Sequence, residues 1–140
     1  MTSFILPNYA LSIKQPWAEL VMRGHKTIEV RTWTTEYRGP LLIHTGQKVA
    51  KEFMPLFRGI DASFTGGFIG LVTLSKVEPF THAGWSMNRQ NHLVPGQMPA
   101  GAFGWHFEHP IQLEPFKAPG SLGIFKVPAS IVAQLRILHA

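Results

Sequence analysis

The sequence predicts an α+β domain, built as a small mixed β-barrel with two or three short helices. Several short segments alternate apolar and polar residues, which is typical of strands, and two or three segments have helical spacing. No strand–helix–strand unit recurs, so a regular parallel α/β sheet is not expected. The chain has 140 residues and is 45% apolar, which suits one core, so residues 1–140 are assigned to a single domain.

The first half of the chain is predicted to alternate between strands and helices. Pro16 favours the first turn of a helix, where its missing N–H costs no hydrogen bond, and Gly24 is suited to end that helix. Trp17, Leu20 and Val21 recur at helical spacing and form its predicted buried stripe. The predicted strands cover residues 9–14, 26–33 and 41–45, and the predicted helices cover residues 16–24 and 48–54.

The second half is predicted to consist mostly of strands, interrupted by one long loop. Phe103, Trp105 and Phe107 alternate along a predicted strand and are assigned to the core. Residues 80–100 show no clear period, so we predict a loop, and its length suggests that it covers a functional site. The other predicted elements are strands at 68–77, 102–108, 111–116 and 123–127 and a closing helix at 129–138.

The charge of the chain gives the first indication of function. The formal net charge is +5, which suits an anionic partner such as RNA, DNA or a nucleotide. Residues 1–60 carry eight Lys and Arg against four Glu, whereas the remaining residues carry five against four acidic side chains. Because domains that bind no nucleic acid can carry a similar excess, the position of the cations matters more than their number.

The composition also excludes or disfavours several kinds of site. The chain has no cysteine, which excludes disulfides, cysteine nucleophiles and thiolate zinc sites. There is no run of eighteen apolar residues, so no membrane span is expected. The first residues lack the features of a signal peptide, so a cytoplasmic location is expected. His106 and His109 point to opposite faces of a predicted strand and no cofactor motif occurs, so neither a metal nor a cofactor is expected.

The segment around the second predicted strand carries the strongest functional signal. Its period of two places Glu29, Arg31 and Trp33 on one face, with about 7 Å between alternate residues. Arg31 has a planar fork suited to phosphate or a base edge, and Glu29 could accept a proton or a base amine. Lys26 could contact phosphate or, if buried, act as a base. The alternatives are a solvated lysine and a surface ion pair between Glu29 and Arg31.

Other residues are candidates for contacts around this centre. Lys14 and Gln15 precede a predicted helix N-terminus, where free N–H groups favour an anion, although ordinary capping explains them equally well. Trp33 could stack a base or pack in the barrel. His44 could approach the same site or be a hydrogen-bonded structural histidine. The candidate nucleic-acid-binding residues are therefore Lys14, Gln15, Lys26, Glu29, Arg31, Trp33 and His44.

These residues resemble the signature of the ASCH domain family, which belongs to the PUA-like superfamily of small β-barrels. The family pattern Gly-x-Lys-x-x-Glu-x-Arg is matched by Gly24, Lys26, Glu29 and Arg31, and Gln15-Pro16-Trp17 matches the usual start of the first helix. Residues 39–44 resemble the next strand of the family. The resemblance implies a PUA-like barrel whose cleft, lined by the motif residues, lies beside the first helix and binds RNA or another nucleic acid.

The resemblance also implies an alternative function, that of an enzyme. One group of the family hydrolyses acetylated cytidine with a catalytic Lys, Thr and Glu, and ribonuclease activity is also associated with the family. Lys26 matches the lysine, but Glu29 occupies the position of the threonine nucleophile, so a covalent threonine mechanism is not expected. In the hydrolase alternative, Lys26 helps to activate a water, Glu29 is the general base, and Arg31 stabilises negative charge.

The sequence favours binding of RNA or a modified nucleoside in a basic cleft of a PUA-like barrel. The alternative is a small hydrolase that acts on acetylated cytidine or on RNA phosphodiesters, with Lys26 and Glu29 as its catalytic residues. A third interpretation is a protein-interaction module whose basic face recruits an acidic partner. The expected partner is thus RNA or a nucleotide or nucleoside ligand, without a membrane, metal or cofactor.

Overall fold

A computed structural model of the protein describes residues 5–139, in which six strands and several short helices form one mixed structure. The strands are β1 Tyr9–Ser12, β2 Ile28–Arg31, β3 Gly39–Thr45, β4 Gly67–Pro79, β5 Phe103–Lys117 and β6 Ile124–Lys126. The helices are α1 Trp17–Met22, α2 His82–Met87, α3 Arg89–His92 and α4 Ala129–Val132, with a 3₁₀-helix at Lys51–Phe57. The predicted combination of strands with short helices is confirmed.

The six strands form one open, curled sheet. Their order is β2-β5-β4-β3-β1-β6, and the β1–β3 pair is parallel. No ladder joins the edge strands β2 and β6 within residues 5–139, so closure into the predicted barrel is not observed. The sheet nevertheless curls strongly. Three strands separate β2 from β1 in the sheet, yet Arg31 Nη2 on β2 lies only 2.7 Å from the Ser12 carbonyl oxygen on β1.

The long antiparallel strands β4 and β5 bend at several points, which contributes to this curl. Their register shifts at several points, and such bulges bend a strand and increase its twist. One shift coincides with His109, whose φ is 52°, and Pro110 follows it. The sequence predicted two strands separated at this point, but β5 continues through it as one strand. The proline and the positive φ therefore mark a bulge and not a strand end.

Two apolar clusters pack on the two faces of the sheet. Along β3, Leu41 and Ile43 belong to one cluster and Leu42 to the other, as strand alternation requires. The first cluster contains Trp105 and Phe107 in buried positions, and Phe103 packs against it, which agrees with their predicted place in the core.

Helix α1 is held against the first cluster by close packing. It begins after Pro16 and is followed by Gly24, whose φ of 76° suits glycine, so the predicted helix limits are confirmed. A Cβ atom at Gly70 on β4 would overlap the side chain of Met22 from α1. Glycine at position 70 therefore allows the two-turn helix to lie directly on the sheet.

Several predicted segments differ from the structure. Residues 80–100 contain the helices α2 and α3 instead of a structureless loop. The predicted helix at 48–54 is a 3₁₀-helix that runs past Pro55, and the closing helix ends at Val132, after which Ile137 pairs with Leu113 on β5. In the part of the chain that the structure describes, no helix has the length and apolar content needed to span a bilayer.

Candidate nucleic-acid interface

The charged residues of the motif form one ionic cluster centred on Glu29. Its Oε1 lies 3.6 Å from Lys26 Nζ, and its Oε2 lies 3.0 Å from Arg31 Nη2 and 3.1 Å from Arg31 Nε. Glu29 and Arg31 alternate along β2, so the strand places both side chains on one face. Lys26 precedes β2, where strand alternation does not apply, and its side chain turns towards the same carboxylate.

Lys26 is the buried end of the ionic cluster, with only 1% of its surface exposed. Its ammonium donates a hydrogen bond to the His92 carbonyl of α3 and lies 4.8 Å from the centre of the Trp17 ring. Burial lowers the pKa of Lys26 from 10.5 to about 8, although the carboxylate of Glu29 opposes this effect. Lys26 thus connects the start of β2 to α3 beneath the surface, and it does not line the cleft beside Arg31.

Arg31 is the open end of the cluster, and 21% of its side chain is exposed. Nε donates to Glu29 and Nη2 donates to the Ser12 carbonyl, whereas no hydrogen bond from Nη1 is found within residues 5–139. Two protein acceptors therefore fix the plane of the guanidinium, and N–H groups remain for a ligand.

Arg31 lines a cleft of about 410 Å³, which we call the motif cleft. It lies between β2, the start of α1 and the loop formed by residues 118–123. Trp17 forms its aromatic wall, and Phe53 and Phe57 of the 3₁₀-helix hold that ring, with centre-to-centre distances of 5.0 and 5.5 Å. The charged and aromatic residues that line the motif cleft are Lys14, Trp17, Glu29, Arg31 and Lys48.

A second cleft of about 740 Å³, which we call the histidine cleft, adjoins the first. His44 and Lys117 line it. Both clefts are lined by Ser12, Gly46, Gln47, Ser121 and Leu122, so they meet at the end of β1 and along the 118–123 loop. Leu122 is 95% exposed and stands at this junction.

His44 is buried beneath the histidine cleft, with 2% of its surface exposed, and both its ring nitrogens have partners. Nε2 lies 2.9 Å from the Ala118 carbonyl oxygen, which can only accept, so Nε2 carries the hydrogen. Nδ1 then accepts from the Ser12 hydroxyl at 3.1 Å. Burial lowers the pKa of His44 below its usual value, although the bond to Ala118 opposes this, and so favours the neutral ring.

The other predicted site residues are placed in different surroundings. Lys14 is exposed and lines the motif cleft. Gln15 is 1% exposed, and its Oε1 accepts the N–H of Glu19, so it supports the first turn of α1 instead of the cleft rim. Trp33 packs edge-on against Trp105, with ring centres 4.6 Å apart. Of these three residues, the structure brings Lys14 alone to the motif cleft.

Sequence reasoning missed part of this surface. Trp17 packs against the first apolar cluster, as its helical spacing predicts, but it also lines the motif cleft, which the sequence does not indicate. Residues 80–100 were expected to cover the site, but they lie behind β2, where the Thr27 N–H bonds to the Asn91 carbonyl, and none of them lines either cleft. The 118–123 loop borders both clefts. Its sequence, APGSLG, signals a loop but gives no indication of what it contacts.

Two further findings bear on what this surface holds. Within residues 5–139, no group of three or more His, Asp or Glu side chains is arranged to bind a metal ion. The sequence pattern of the ASCH domain matches residues 11–117. The chain belongs to the ASCH domain family. The ASCH domain is a PUA-like fold that is associated with RNA binding, and two residues of the family motif, Glu29 and Arg31, line the motif cleft.

Solved ASCH structures share the fold of this chain. An ASCH protein from Zymomonas mobilis superposes with a TM-score of 0.64 at 12% identity, covering 89% of this chain and 90% of that one. A mutant of that protein superposes with a TM-score of 0.65 at 12% identity, covering 91% and 97%. At this identity, the similarity supports the ASCH fold and nothing finer.

Curated relatives of this ASCH domain are much longer proteins. Activating signal cointegrator 1 from Mus musculus and from Homo sapiens are each 37% identical to it over 80 residues. The match covers 48% of this chain but only 14% of either relative.

Proposed function

We propose that this ASCH domain binds RNA by holding one of its nucleotides, or a modified nucleoside, in the motif cleft. The observation that carries the proposal is the guanidinium of Arg31, which lines the motif cleft and is oriented by two protein acceptors, while no hydrogen bond from its Nη1 is found within residues 5–139. A planar donor of this kind recognises a base edge or a phosphate through paired hydrogen bonds.

The surroundings of Arg31 provide the other contacts that a nucleotide needs. The ring of Trp17 offers an aromatic surface for a base, and such stacking contributes about 1–3 kcal/mol per base. Lys14 and Lys48 are exposed at the same cleft and can contact phosphates. Aromatic and cationic groups therefore converge on one hollow, as in proteins that bind single-stranded nucleic acid.

The role of Glu29 is to orient Arg31. Both of its oxygens face cations, so it would have to give up a contact in order to accept an amine of a base. A carboxylate beside a phosphate site weakens phosphate binding, whereas a carboxylate that fixes a guanidinium improves the recognition of a defined edge. This arrangement favours a base edge over the backbone as the partner of Arg31.

Hydrolysis through Lys26 and Glu29 has less support from this geometry. The ammonium of Lys26 is enclosed by Trp17, Glu29 and the His92 carbonyl, so a water would have to displace one of these contacts. The lowered pKa of Lys26 is compatible with a base, but a base must also reach the proton that it abstracts. Binding is therefore the better-supported function of this cluster.

The test compares RNA affinity between the wild-type protein and the Arg31→Ala variant. We expect the affinity for a short fluorescent single-stranded RNA to fall about 10-fold to 100-fold, because a good paired contact is worth about 1–3 kcal/mol. Arg31→Lys should recover little of the affinity that Arg31→Ala loses, since an ammonium lacks the planar fork of the guanidinium. Arg38→Ala is the matched control, because the Arg38 guanidinium is exposed and bonds to the carbonyls of Thr35 and Tyr37, away from the motif cleft.

Salt dependence separates RNA binding from docking of an acidic protein surface. The logarithm of the RNA affinity should fall linearly with the logarithm of the salt concentration. If the Arg31→Ala variant binds RNA at low salt as tightly as the wild type does, and its melting temperature is unchanged, the assignment of the motif cleft is contradicted. Failure of every RNA and modified nucleoside to bind the wild-type protein would contradict the proposed function itself.

A further inference from the structure

Ser12 and His44 form a hydrogen-bonded pair at the junction of the two clefts, and the proposed RNA binding does not use it. Ser12 Oγ lies 3.1 Å from His44 Nδ1. The Ser12 side chain is partly exposed and lines both clefts, whereas the imidazole is buried behind it. The hydroxyl is thus accessible from the ligand side, and its hydrogen-bond acceptor is not.

The imidazole of His44 is held in one orientation and one tautomer. The Ala118 carbonyl accepts the hydrogen of Nε2, which leaves Nδ1 as an acceptor for the serine. The rings of Phe68 and Phe125 lie edge-on to the imidazole, with centre distances of 5.1 and 5.8 Å. A Cβ atom at Gly120 would overlap the ring, so the 118–123 loop packs directly on it.

We propose that Ser12 is a nucleophile activated by His44, and that this site hydrolyses a carboxylic ester. Three elements of a nucleophilic site are present: a hydroxyl facing a cleft, a base within hydrogen-bond distance, and a third group that orients the base. The ester class, an acylated hydroxyl of a nucleoside or nucleotide, rests on the proposed function, because the motif cleft would hold the nucleoside beside Ser12.

The reaction has two stages that use only the ester and water. Ser12 Oγ attacks the ester carbonyl carbon while its proton passes to His44 Nδ1. The bond between that carbon and the alcohol oxygen breaks, and the alcohol takes the proton, leaving an acyl group on Ser12. Water then attacks this acyl group, and His44 again takes and returns a proton. The products are the free carboxylic acid, the alcohol and the original serine.

A purely structural role is the alternative for this pair. Ser12 and His44 are register partners in the parallel β1–β3 ladder, so their hydrogen bond could simply join two strands. Two features favour reactivity. The first is that the Ser12 hydroxyl lies at the cleft surface. The second is that Gly46, which lies beside this hydroxyl, has no side chain; a Cβ atom there would lie 3.7 Å from Ser12 Oγ. The absence of that side chain leaves space beside the oxygen.

Covalent labelling tests the nucleophile without requiring RNA binding. The folded protein is treated with a fluorophosphonate, which reacts with activated serines, and the modified residue is identified by mass spectrometry. We expect modification of Ser12, its loss in Ser12→Ala, and its retention in Ser121→Ala. Ser121 is the matched control because it lines the same two clefts, and no side-chain hydrogen bond of it is found within residues 5–139. Modification at another residue, or none in the folded protein, would overturn the proposal.

Turnover tests the ester class. Hydrolysis of p-nitrophenyl acetate and of an acetyl ester of adenosine is measured for the wild type, Ser12→Ala and His44→Gln. Ser12→Ala should reduce both rates to background, and His44→Gln should reduce them about 100-fold or more, which is typical of losing a general base. Circular dichroism melting shows whether each variant is folded; if His44→Gln is not, Ser12→Ala alone decides the result.

The outcomes separate this inference from the proposed function. Labelling and p-nitrophenyl ester turnover in a protein that binds no RNA would support the nucleophile and contradict the nucleoside ligand. RNA binding without labelling of Ser12 would support the motif cleft and overturn the nucleophile. Equal rates for wild type and Ser12→Ala on both esters would also overturn it.

Discussion

The two ends of the ionic cluster differ in their surroundings, although they share the carboxylate of Glu29. Lys26 is enclosed between Trp17 and α3, whereas Arg31 reaches the surface of the motif cleft. A buried cation needs the carboxylate for its own stability, because an unpaired charge in the interior is costly. A partly exposed guanidinium needs it for orientation. In the proposed function, one short motif therefore serves stability at one end and binding at the other.

The segment at residues 80–100 belongs to the stability end. His92 of α3 accepts the hydrogen bond from Lys26, and its ring stacks on Trp85 of α2 with a centre distance of 3.9 Å. Both nitrogens of the His92 ring are also bonded, to the Trp85 carbonyl and the Val94 N–H. These helices therefore support the motif from behind, which is a different role from the predicted cover.

The largest effect is expected when the shared carboxylate is removed. Glu29→Gln leaves Lys26 buried without an anionic partner, and breaking such a pair typically costs about 3 kcal/mol or more. We expect the free energy of unfolding in urea at pH 7 to fall by roughly that amount. RNA affinity should fall as well, measured under conditions where the variant is folded, because Arg31 loses its orienting partner.

Two comparisons test whether the cost comes from the buried charge. Glu36→Gln is the matched control, because Glu36 is exposed and no ion pair of it is found within residues 5–139, and we expect a change below about 0.5 kcal/mol. Combining Glu29→Gln with Lys26→Met should recover part of the lost stability, since the unpaired charge is then absent. If Glu29→Gln alone is as stable as the wild type, burial of the Lys26 ammonium does not depend on the carboxylate of Glu29.

Much of the local structure could be predicted from the sequence, because its signals are local. The limits of α1 follow from Pro16 and Gly24, and the shared face of Glu29 and Arg31 follows from strand alternation. The core positions of Trp105 and Phe107 follow from the same period. The motif, read as a family signature, indicated the fold that the comparisons support.

The remaining features depend on contacts between distant residues. The helices α2 and α3 have six and four residues, too few for a helical period to be recognised. Trp17 has core spacing in the sequence, but the cleft that it lines is completed by residues 46–48 and 121–123, which lie far from it in the sequence. The Ser12–His44 pair joins residues 32 positions apart, through a strand pairing that neither segment specifies alone.

A smaller effect on the free energy of unfolding is expected from a change of pH. This effect reports on Lys26, the buried end of the ionic cluster, alone. The folded-state pKa of Lys26 is about 8 and the ordinary value is 10.5, so between these values the unfolded chain binds more protons at this residue. Stability therefore rises with pH in this window, as the cost of burying the charge is removed. Between pH 8 and pH 9.5 we expect the free energy of unfolding to rise by roughly 1.5 kcal/mol relative to Lys26→Met.

The Lys26→Met variant supplies the reference because other groups titrate in the same range. It retains a long apolar side chain beside Trp17 and removes the titrating ammonium. Parallel stability curves for the wild type and this variant from pH 7 to pH 9.5 would show that Lys26 titrates outside this window. RNA affinity of the folded variant should stay within about twofold of wild type, because Lys26 does not line the motif cleft.

The smallest effects are expected at the rim of the open end. Lys14→Ala and Lys48→Ala each remove one exposed cation from the motif cleft. If each cation contacts one phosphate, each variant should reduce the slope of log affinity against log salt by about 0.7, with little change in stability. Lys76→Ala is the control, because Lys76 is exposed on β4 and does not line the motif cleft. Equal slopes in all four proteins would place the RNA backbone elsewhere, whereas a loss confined to Lys14 and Lys48 would show that the strand passes over the cleft that Arg31 occupies.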